Sequence, residues 1–355
     1  MQHLRSNNSD IYFGGIGYQK LNSFLSKNQF SIIFVLVDEN THEHCLPYFL
    51  GALETKVTIE IIEIESGEVN KTIETCAGVW NAMSELNGDR KSLMINLGGG
   101  VITDMGGFIA STFKRGIEFI NVPTTLLSMV DASVGGKTGV DLGSLKNQVG
   151  VFNEGEMVIV DPYYLSTLPD EQLRSGYAEI LKHALITSDK DWQLVKNIKE
   201  KTLEELEVII IRSVHIKNDV VLEDALENGL RKTLNFGHTL GHAVESYFLA
   251  HPEKELLLHG EAIAIGMILA THLSKQLFDF PEEKLIDIKK EILSIYDPVD
   301  ITEDDLNEIK QLLIHDKKNS FGNINFVLLS DIGKHLLDVE VREKQISAAF
   351  AFYRV

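Results

Sequence analysis

Strand and helix patterns alternate along the first half of the chain, and this alternation is the feature that most constrains the fold. Residues 30–37 form a continuous apolar run, typical of a strand buried on both faces of a parallel sheet. Apolar residues at helical spacing occur over residues 70–86. Further strands are predicted at residues 57–64, 92–97, 117–122 and 157–160. This order predicts a Rossmann-like, doubly wound parallel-sheet α/β domain.

Helical patterns dominate after about residue 173, so the second half of the chain belongs to a different structural class. Helices are predicted at residues 176–186, 202–226, 233–249 and 260–277, with two more between residues 282 and 313. We therefore expect an α/β plus all-α chain. The α/β domain would span residues 1–172, and a helical domain would span residues 173–355.

The charge balance limits the partners of the chain. It has 33 Lys and Arg residues against 52 Asp and Glu residues, which gives a net charge of −19. A field of this sign repels nucleic-acid backbones and anionic lipid surfaces, so we expect no nucleic-acid or membrane partner. An anionic substrate would need a local cluster of basic side chains to bind against this field.

The sequence also predicts a cytoplasmic location. Cys45 and Cys76 are the only cysteines, which is no disulfide framework and suits a reducing compartment. Residues 1–10 are polar and lack the apolar core of a signal peptide. The apolar run at residues 30–37 is too short to span a bilayer.

A glycine-rich turn follows one predicted strand. Gly98, Gly99 and Gly100 precede a helical pattern, and free N–H groups at such a helix start can bind a diphosphate. The dinucleotide fingerprint is incomplete, because Thr103 stands at the position of its third glycine. A tight turn with a purely structural role therefore remains an alternative.

A second glycine pair, Gly135-Gly136, precedes Lys137. It resembles the end of a P-loop, but Asp131 stands where the upstream glycine of that motif would be. No P-loop is predicted here. A glycine-rich loop that carries a lysine can still receive a phosphate or a carboxylate.

Polar residues are regularly spaced over residues 231–245. On one helix they would form a single stripe. The stripe consists of Arg231, Asn235, His238, His242 and Glu245. A solvated face is the alternative, but such faces use Lys and Glu more than paired histidines. Gly237 and Gly241 each cost about 1 kcal/mol relative to alanine inside a helix. They indicate close approach by another backbone or a ligand, which favours a functional stripe.

The histidines of this stripe have a spacing that can bind a metal ion. His238 and His242 lie at i and i+4, although no glutamate directly follows His238 as it does in zinc proteases. His259 is a third candidate ligand, and Glu179 offers a carboxylate with Lys182 one turn later. Spacing alone predicts that both His238 and His242 are ligands.

The ordered combination of motifs resembles the 3-dehydroquinate synthase family over residues 38–318. Each motif is modest alone, but their succession is specific. They are GGGVI-x-D at residues 98–104, RG at 115–116, PTTLL at 123–127, VD-x-SVGGKT at 130–138, KN at 146–147, TLP at 167–169, AE-x-x-K at 178–182, LN-x-GHT-x-GH at 234–242 and HGEA at 259–262.

The resemblance implies a two-domain enzyme, usually a homodimer, with tightly bound NAD and one zinc or cobalt ion. Its substrate would be 3-deoxy-D-arabino-heptulosonate 7-phosphate, which is converted to 3-dehydroquinate and phosphate in the shikimate pathway. NAD would oxidise a hydroxyl transiently and return the hydride after phosphate is eliminated. Ring opening and an intramolecular aldol closure would follow. The metal would polarise the transient carbonyl as a Lewis acid.

Carried over position by position, the resemblance makes Glu179, His238 and His259 the metal ligands. His242 would then be a proton-transfer residue instead of a ligand, which conflicts with the spacing argument. We follow the resemblance on this point. The other residues that it implies to be catalytic are Lys137, Lys182, Lys217 and Asn235.

The resemblance also implies a substrate-contacting set, which supplies the basic cluster that the net charge requires. Arg115 would reach the phosphate from the neighbouring subunit, and Lys317 is favoured over Lys318 as a further contact. The other members are Asp131, Lys137, Lys146, Asn147, Lys182, Lys217, Arg231, Asn235 and His242.

A third set is implied to bind NAD. Asp38 follows the first predicted strand, where a carboxylate can bind the adenosine ribose hydroxyls. The other members are Asn40, Glu68, Lys71, Gly99, Gly100, Asp104, Thr124, Thr125, Asp131, Lys137, Lys146, Thr167 and Leu168.

Four positions depart from the family pattern. Thr103 and Leu145 stand where glycine is usual, Asn121 where glutamine is common, and Ala132 where serine is usual. None of these changes removes a catalytic group. Leu145 matters most, because it lies beside predicted substrate contacts.

Three alternative functions remain open from the sequence. A sibling sugar-phosphate cyclase would share the NAD and zinc chemistry but act on another sugar phosphate. An iron-type alcohol dehydrogenase would lack the phosphate-site motifs and release NADH. A non-catalytic NAD-binding protein on the same scaffold would not need the set formed by Glu179, His238 and His259.

Overall fold

The computed structural model of the chain describes residues 3–143, 145–316 and 324–354. It contains two compact units. Unit 1 comprises Met1–Pro169 and Ile210–Leu222, and unit 2 comprises Asp170–Ile209 and Glu223–Val355. The predicted boundary between residues 172 and 173 falls inside one helix, Asp170–Leu185. Lys317, a predicted substrate contact, lies outside the described residues.

The strands and helices are numbered along the chain. The strands are β1 (His3–Arg5), β2 (Asp10–Phe13), β3 (Ile33–Asp38), β4 (Ile59–Ile64), β5 (Leu93–Gly98), β6 (Glu118–Pro123), β7 (Lys137–Leu142), β8 (Leu145–Phe152), β9 (Met157–Val160), β10 (Asn325–Asp331) and β11 (Lys334–Glu340). The helices are α1 (Gly15–Lys27), α2 (Glu39–His44), α3 (Leu46–Ala52), α4 (Ile73–Glu85), α5 (Gly100–Thr112), α6 (Asp170–Leu185), α7 (Asp189–Val195), α8 (Leu203–Glu223), α9 (His238–Ala250), α10 (His259–Phe278), α11 (Glu282–Ile295), α12 (Glu303–Asp316) and α13 (Glu343–Arg354).

Unit 1 is built on a seven-stranded sheet in the order β1-β2-β9-β6-β5-β3-β4. Strand β1 is antiparallel to β2, and every other neighbouring pair is parallel. The side chains of Ile33–Val37 and of β5 are buried throughout, as expected for strands that are covered on both faces. The predicted α/β class is confirmed.

Apolar packing holds the helices of unit 1 on this sheet. Phe34 and Met94 from the strands share one buried cluster with Met105 and Phe108 of α5 and with Met83 of α4. Full burial of side chains of this size stabilises a fold by about 1.5–3 kcal/mol each. This packing fixes the start of α5 at the carboxyl end of β5.

Unit 2 is mostly helical and also contains the antiparallel hairpin β10–β11. Helices α9 and α10 approach each other through glycines. A Cβ atom on Gly241 would lie 3.0 Å from the Ala262 backbone oxygen, and one on Gly266 would lie 2.0 Å from the Gly237 oxygen. The close approach predicted from Gly237 and Gly241 is confirmed, and the approaching backbone is that of α10.

The predicted helix over residues 233–249 begins too early. Leu230–Asn235 forms a short 3₁₀ helix, Gly237 adopts a left-handed backbone (φ 79°), and α9 begins at His238. The prediction of one helical stripe is therefore wrong, because Arg231 and Asn235 do not lie on the helix that carries the other three residues. The close contact with α10 explains the break, since only glycine fits at position 237.

Several elements carried no clear signal in the sequence. The short strands β1 and β2 and the two hairpins, β7–β8 and β10–β11, were not predicted. Strands β1 and β2 have three and four residues and β8 is largely exposed, so their apolar patterns are weak. Strand β10 was missed although its middle residues are buried. Across the residues that the structure describes, no helix combines the length and apolar character that a membrane span requires.

Candidate functional site

Three side chains of unit 2, those of Glu179, His238 and His259, meet at one buried oxygen atom of Glu179. Glu179 of α6 is fully buried, and its Oε1 atom accepts no hydrogen bond from any described residue. The Nε2 atom of His238 lies 3.4 Å from this oxygen, and the Nε2 atom of His259 lies 3.7 Å from it. A buried oxygen without a donor, faced by two imidazole nitrogens, is what a divalent cation held by all three groups requires.

Both histidines place their other ring nitrogen near an acceptor. Nδ1 of His238 lies 3.2 Å from the Phe236 backbone oxygen, and Nδ1 of His259 lies 3.2 Å from Oε2 of Glu245. A proton on each Nδ1 would leave the Nε2 lone pairs facing Glu179. This arrangement is typical of histidines that bind a metal.

His242 lies in the same cluster. Its ring centroid is 5.1 Å from that of His238 and 5.7 Å from that of His259. One ligand atom from each of the three histidines lies within 4.8 Å of the others. The structure therefore brings together Glu179, His238, His242 and His259. Spacing predicts that His242 is a metal ligand, whereas the resemblance implies that it is not.

The electrostatic surroundings favour the anionic form of Glu179 and the neutral form of His238. Burial alone would raise the pKa of Glu179, but the charge of Lys182, which forms an ion pair with Oε2, and then His238 hold it well below its usual range. Burial lowers the pKa of His238. Burial would also lower the pKa of His259, but the two carboxylates beside its ring, Glu179 and Glu245, raise it to about 9.

In unit 1 the glycine-rich turn at residues 98–100 leads into α5, and no described side chain caps the N-terminus of that helix. Gly99 is the N-cap of α5, and it supplies no side-chain cap. A Cβ atom on Gly99 would lie 3.0 Å from Cγ2 of Thr125. The first N–H groups of α5 can therefore bind an anion, and the small residue lets it come close. Thr103 turns its hydroxyl back to the oxygens of Gly99 and Gly100 at 3.3 and 3.2 Å.

Asp38 stands between β3 and α2, as the sequence predicts. Its Oδ1 atom accepts hydrogen bonds from the backbone N–H of Thr41 at 2.8 Å and from the Thr41 hydroxyl at 2.9 Å. The residue is thus the N-cap of α2, and it is only partly buried. Asn40 is exposed on the same helix.

A charged cluster joins predicted cofactor and substrate contacts within unit 1. Lys71 is buried, and its Nζ atom donates to Asp104 at 2.6 Å and to Asn147 at 2.8 Å. Burial would lower the pKa of Lys71, but Asp104 and Glu68 raise it. Nζ of Lys146 lies 3.7 Å from Glu68. The structure brings these five residues together.

Lys217 and Asp131 form a second pair in unit 1. Nζ of Lys217, a residue of α8, donates to the backbone oxygen of Asp131 at 2.5 Å and to its Oδ1 at 2.7 Å. Lys217 is buried. A buried ammonium is held in place only when it is paired, so Asp131 fixes the lysine.

Two predicted substrate contacts just before α9, Arg231 and Asn235, form hydrogen bonds with residues that the sequence did not indicate. The Arg231 guanidinium donates to the Ala225 backbone oxygen at 2.6 Å. The Asn235 amide donates to Glu227 at 2.7 Å. Glu227 has a left-handed backbone (φ 61°) between α8 and the 3₁₀ helix, and no sequence pattern distinguished it from a surface acid.

The remaining predicted contacts of unit 1 lie on turns and strand ends. Arg115 is exposed, with φ 71°, between two residues that also have positive φ values, Lys114 and Gly116. Lys137 is exposed at the start of β7. Thr124, Thr125, Thr167 and Leu168 follow β6 and β9 in the chain.

The structure shows the surroundings of three departures from the family pattern. Asn121 accepts a hydrogen bond from Asn96 at 2.8 Å inside the sheet. Leu145 is half-exposed and pairs with Leu142 at the end of the β7–β8 hairpin. A Cβ atom placed on Gly100 would lie 3.5 Å from the Cβ atom of Ala132, which is an ordinary contact distance.

Comparison with protein families gives a match in both halves of the chain. Residues 61–175 match the family described as 3-dehydroquinate synthase N-terminal, and residues 176–319 match 3-dehydroquinate synthase C-terminal. A 3-dehydroquinate synthase of Parabacteroides distasonis is 41% identical over 337 residues, which cover 94% of this chain and 95% of that one.

Solved structures of two related enzymes resemble the whole chain. One is a 2-deoxy-scyllo-inosose synthase complexed with carbaglucose-6-phosphate, NAD⁺ and Co²⁺, with a TM-score of 0.85, 26% identity and 98% of each chain covered. The other is the 2-epi-5-epi-valiolone synthase ValA of Streptomyces hygroscopicus, with NAD⁺ and Zn²⁺ bound. It has a TM-score of 0.84 and 26% identity, and it covers 100% of this chain and 99% of that one.

Proposed function

Because this chain belongs to the 3-dehydroquinate synthase family, we infer that it converts 3-deoxy-D-arabino-heptulosonate 7-phosphate to 3-dehydroquinate and phosphate. The chain is an enzyme, a lyase that eliminates phosphate and closes a ring, and it uses NAD and a divalent metal ion. The observation that carries the assignment of its site is the buried Glu179 oxygen faced by His238 and His259.

The proposed metal ligands are Glu179, His238 and His259. One carboxylate and two imidazoles are a donor set that suits zinc or cobalt. When bound, the ion supplies Lewis-acid polarisation of a substrate oxygen. Glu179 supplies the negative charge that the cation needs, and Lys182 holds the second oxygen of that carboxylate.

His242 is proposed to transfer a proton, as the family resemblance implies. It lies one turn after His238 on α9, so its ring sits beside the ligand cluster. Histidine is the side chain that most often transfers protons in enzyme reactions. Its assignment as a proton carrier leaves the cation with one anionic and two neutral ligands.

The proposed NAD site lies in unit 1. The open N-terminus of α5 at Gly99 and Gly100 would hold the diphosphate, and Asp38 would hold a ribose. When bound, NAD supplies a reversible oxidation of the substrate. Lys71 keeps Asp104 in place for the cofactor. The other proposed contacts are Asn40, Glu68, Thr124, Thr125, Asp131, Lys137, Lys146, Thr167 and Leu168.

The proposed substrate contacts are mostly basic or amide side chains, which suit a phosphate and a carboxylate. Lys217 is fixed by Asp131 and Asn235 by Glu227, so both would meet the substrate already oriented. The other proposed contacts are Arg115, Lys137, Lys146, Asn147, Lys182, Arg231, His242 and Lys317. The substrate phosphate is a plausible base for its own elimination.

The oligomeric state is part of the proposal. We propose a homodimer in which Arg115 of one subunit reaches the phosphate bound by its partner, as the family resemblance implies. The support in this chain is that Arg115 is exposed on a turn with three successive positive φ values. Non-glycine residues with such φ values cluster at functional sites. A cytoplasmic location is proposed with it, since both cysteines are unpaired.

The decisive experiment measures phosphate release from the proposed substrate with NAD and zinc, with and without a chelator, while absorbance at 340 nm is followed. The expected result is equal amounts of phosphate and dehydroquinate, no accumulation of NADH, and loss of the reaction on chelation. Folded, metal-loaded enzyme that releases no phosphate would favour a sibling cyclase, with Leu145 as the first residue to examine. NADH accumulation on simple alcohols would indicate a dehydrogenase.

A further inference from the structure

We propose that Glu245 is a positioning residue for the metal site, which holds His259 so that its Nε2 atom is presented to the cation. The inference rests on the metal-ligand set proposed above. Glu245 belongs to the polar pattern of residues 231–245, but the reaction described so far gives it no role.

The geometry places one imidazole between two buried carboxylates. Glu245 lies in α9 and is 6% exposed. Its Oε2 atom is 3.2 Å from Nδ1 of His259, while Nε2 of the same ring is 3.7 Å from Oε1 of Glu179. The contact with Glu245 therefore determines which ring nitrogen faces the ligand cluster.

The carboxylate has a physical effect on the ring beyond its orientation. A carboxylate that accepts from Nδ1–H keeps the proton on that nitrogen, so the Nε2 lone pair is available and more basic. His259 is also the first residue of α10, where the positive end of the helix dipole disfavours a cation. The negative charge of Glu245 offsets part of that field.

The other proposed histidine ligand is held differently. Nδ1 of His238 lies near the backbone oxygen of Phe236, an acceptor that no side-chain substitution removes. The orientation of His259 depends instead on a side chain. A single substitution at position 245 can therefore test the role.

The packing of the two helices fixes the distance that Glu245 spans. Gly241 lies one turn before Glu245, and a Cβ atom there would be 2.8 Å from Cδ1 of Ile263 and 3.0 Å from the Ala262 oxygen. Helices α9 and α10 are thus held at one separation by direct contact. The glutamate reaches His259 across a gap that cannot easily widen.

The test is Co²⁺ affinity of the full-length chain, stripped of metal and titrated against a competing chelator. We expect Glu245→Leu to weaken Co²⁺ binding by about 10–100-fold, the usual loss when a partner of a metal-bound histidine is removed. Glu245→Gln keeps an oxygen acceptor and should lose less. The visible absorption of the Co²⁺-saturated chain should change in Glu245→Leu, because the ring is no longer fixed.

A matched control separates positioning from general stability. Glu291 is also 6% exposed in unit 2, and it accepts from the Asn197 backbone N–H at 2.5 Å. Glu291→Leu should destabilise the metal-free chain without changing Co²⁺ affinity or the spectrum. If it weakens Co²⁺ binding as much as Glu245→Leu does, the loss is one of stability and the inference is overturned.

His259→Ala separates this inference from the proposed function. Wild-type Co²⁺ affinity in Glu245→Leu, together with loss of binding in His259→Ala, overturns the role of Glu245 and leaves the ligand set intact. Wild-type affinity in His259→Ala overturns both. Should Glu245→Leu not fold, an unchanged affinity and spectrum in Glu245→Gln overturns the inference.

Discussion

Helices α5 and α9 each begin directly after a glycine, and we propose that their starts bind ligands of opposite charge. Helix α5 of unit 1 follows Gly99, which has an ordinary extended backbone (φ −72°). Helix α9 of unit 2 follows Gly237, which has a left-handed backbone (φ 79°). Neither first turn contains an acidic residue, and neither N-cap supplies a side-chain hydrogen bond.

The difference lies in what each first turn presents. At the start of α5, Gly100, Val101 and Ile102 offer only backbone N–H groups, which suit an anion. At the start of α9, His238 offers a ring nitrogen, which suits a cation. The helix dipole disfavours a cation there, and the buried charge of Glu179 offsets it. The same glycine signal thus precedes a site built from backbone in one unit and a site built from side chains in the other.

Removal of a ligand should break the side-chain site most completely. We expect His259→Ala to lower metal affinity by more than about 100-fold, beyond the ~10–100-fold loss of an outer partner. His242→Ala should keep its metal and lose about 10²–10⁴-fold in kcat, the range that a positioned proton-transfer group contributes. Metal analysis and phosphate release measure the two effects. Equal metal content in wild type and His259→Ala would contradict the assignment.

The backbone at the start of α9 should tolerate less change than that of α5. Gly237→Ala puts a side chain at φ 79° and a Cβ atom 2.9 Å from the Met267 backbone nitrogen. We expect a loss of about 3 kcal/mol in the free energy of unfolding, from strain and overpacking together. Urea unfolding measures it.

Gly51→Ala, near the end of α3, is the control. A Cβ atom there would meet nothing within 4 Å. We expect no loss of unfolding free energy, because alanine is favoured over glycine in a helix. Equal losses from the two variants would mean that the left-handed turn at Gly237 is not needed.

The far halves of the two helices are also held differently. Met105 and Phe108 of α5 pack in an apolar cluster, whereas Tyr247 of α9 donates to Asp305 at 2.5 Å. Asp305 also accepts from Lys254 at 2.6 Å. Burial would raise the pKa of Asp305, but Lys254 and Tyr247 hold it below its usual range. The attachment of α9 is therefore sensitive to pH.

Asp305→Asn should cost about 2 kcal/mol of unfolding free energy near pH 7, the typical worth of a hydrogen bond to a charged group. Because the folded-state pKa is depressed, this contribution is present above the unfolded-state pKa of 3.8 and is lost as pH falls below it. Urea titrations of wild type and variant from pH 7 down to about pH 2.5, across the unfolded-state pKa of 3.8, measure the difference. A difference that grows on acidification would contradict this sign.

The sequence predicted best the elements that are buried, because they show continuous apolar runs or a long apolar pattern at helical spacing. The buried strands β3 and β5 and the helix α10 were predicted to within a few residues, because their patterns admit one structure. The hairpin β7–β8 was missed, since Leu142, Leu145 and Phe152 on it are exposed and form no buried face. Its register depends on contacts that no local pattern encodes.

The candidate site shows the same limit. Spacing paired His238 with His242 and left Glu179 only a candidate carboxylate, because α6 and α9 are distant in sequence and meet only through the tertiary fold. The resemblance selected Glu179, and the geometry brings it to the imidazoles of His238 and His259. Glu227, the partner of Asn235, escaped both approaches because it lies in an irregular loop.

The smallest effect should come from the backbone-built site. Gly99→Ala is compatible with φ −72°, and its Cβ atom would lie 3.0 Å from Cγ2 of Thr125, which must shift by a few tenths of an ångström. We expect less than about 1 kcal/mol of lost stability. NAD affinity should fall by about tenfold, or ~1.4 kcal/mol, because in the proposed site the diphosphate approaches the backbone of Gly99, to which the methyl group is added.

Calorimetric titration with NAD measures this loss, and Gly78→Ala on α4, whose Cβ atom would meet nothing within 4 Å, is the control. If Gly99→Ala binds NAD as tightly as the control does, the turn is a tight connection without a ligand, the alternative that the incomplete fingerprint left open. Of the two helix N-termini compared, only that of α9 would then belong to a ligand site. A selective loss of NAD affinity would instead support two different roles for the glycines. Gly99, with its extended backbone, would leave the first N–H groups of α5 open to an anion, and Gly237, with its left-handed backbone, would set the direction of the side chains at the start of α9.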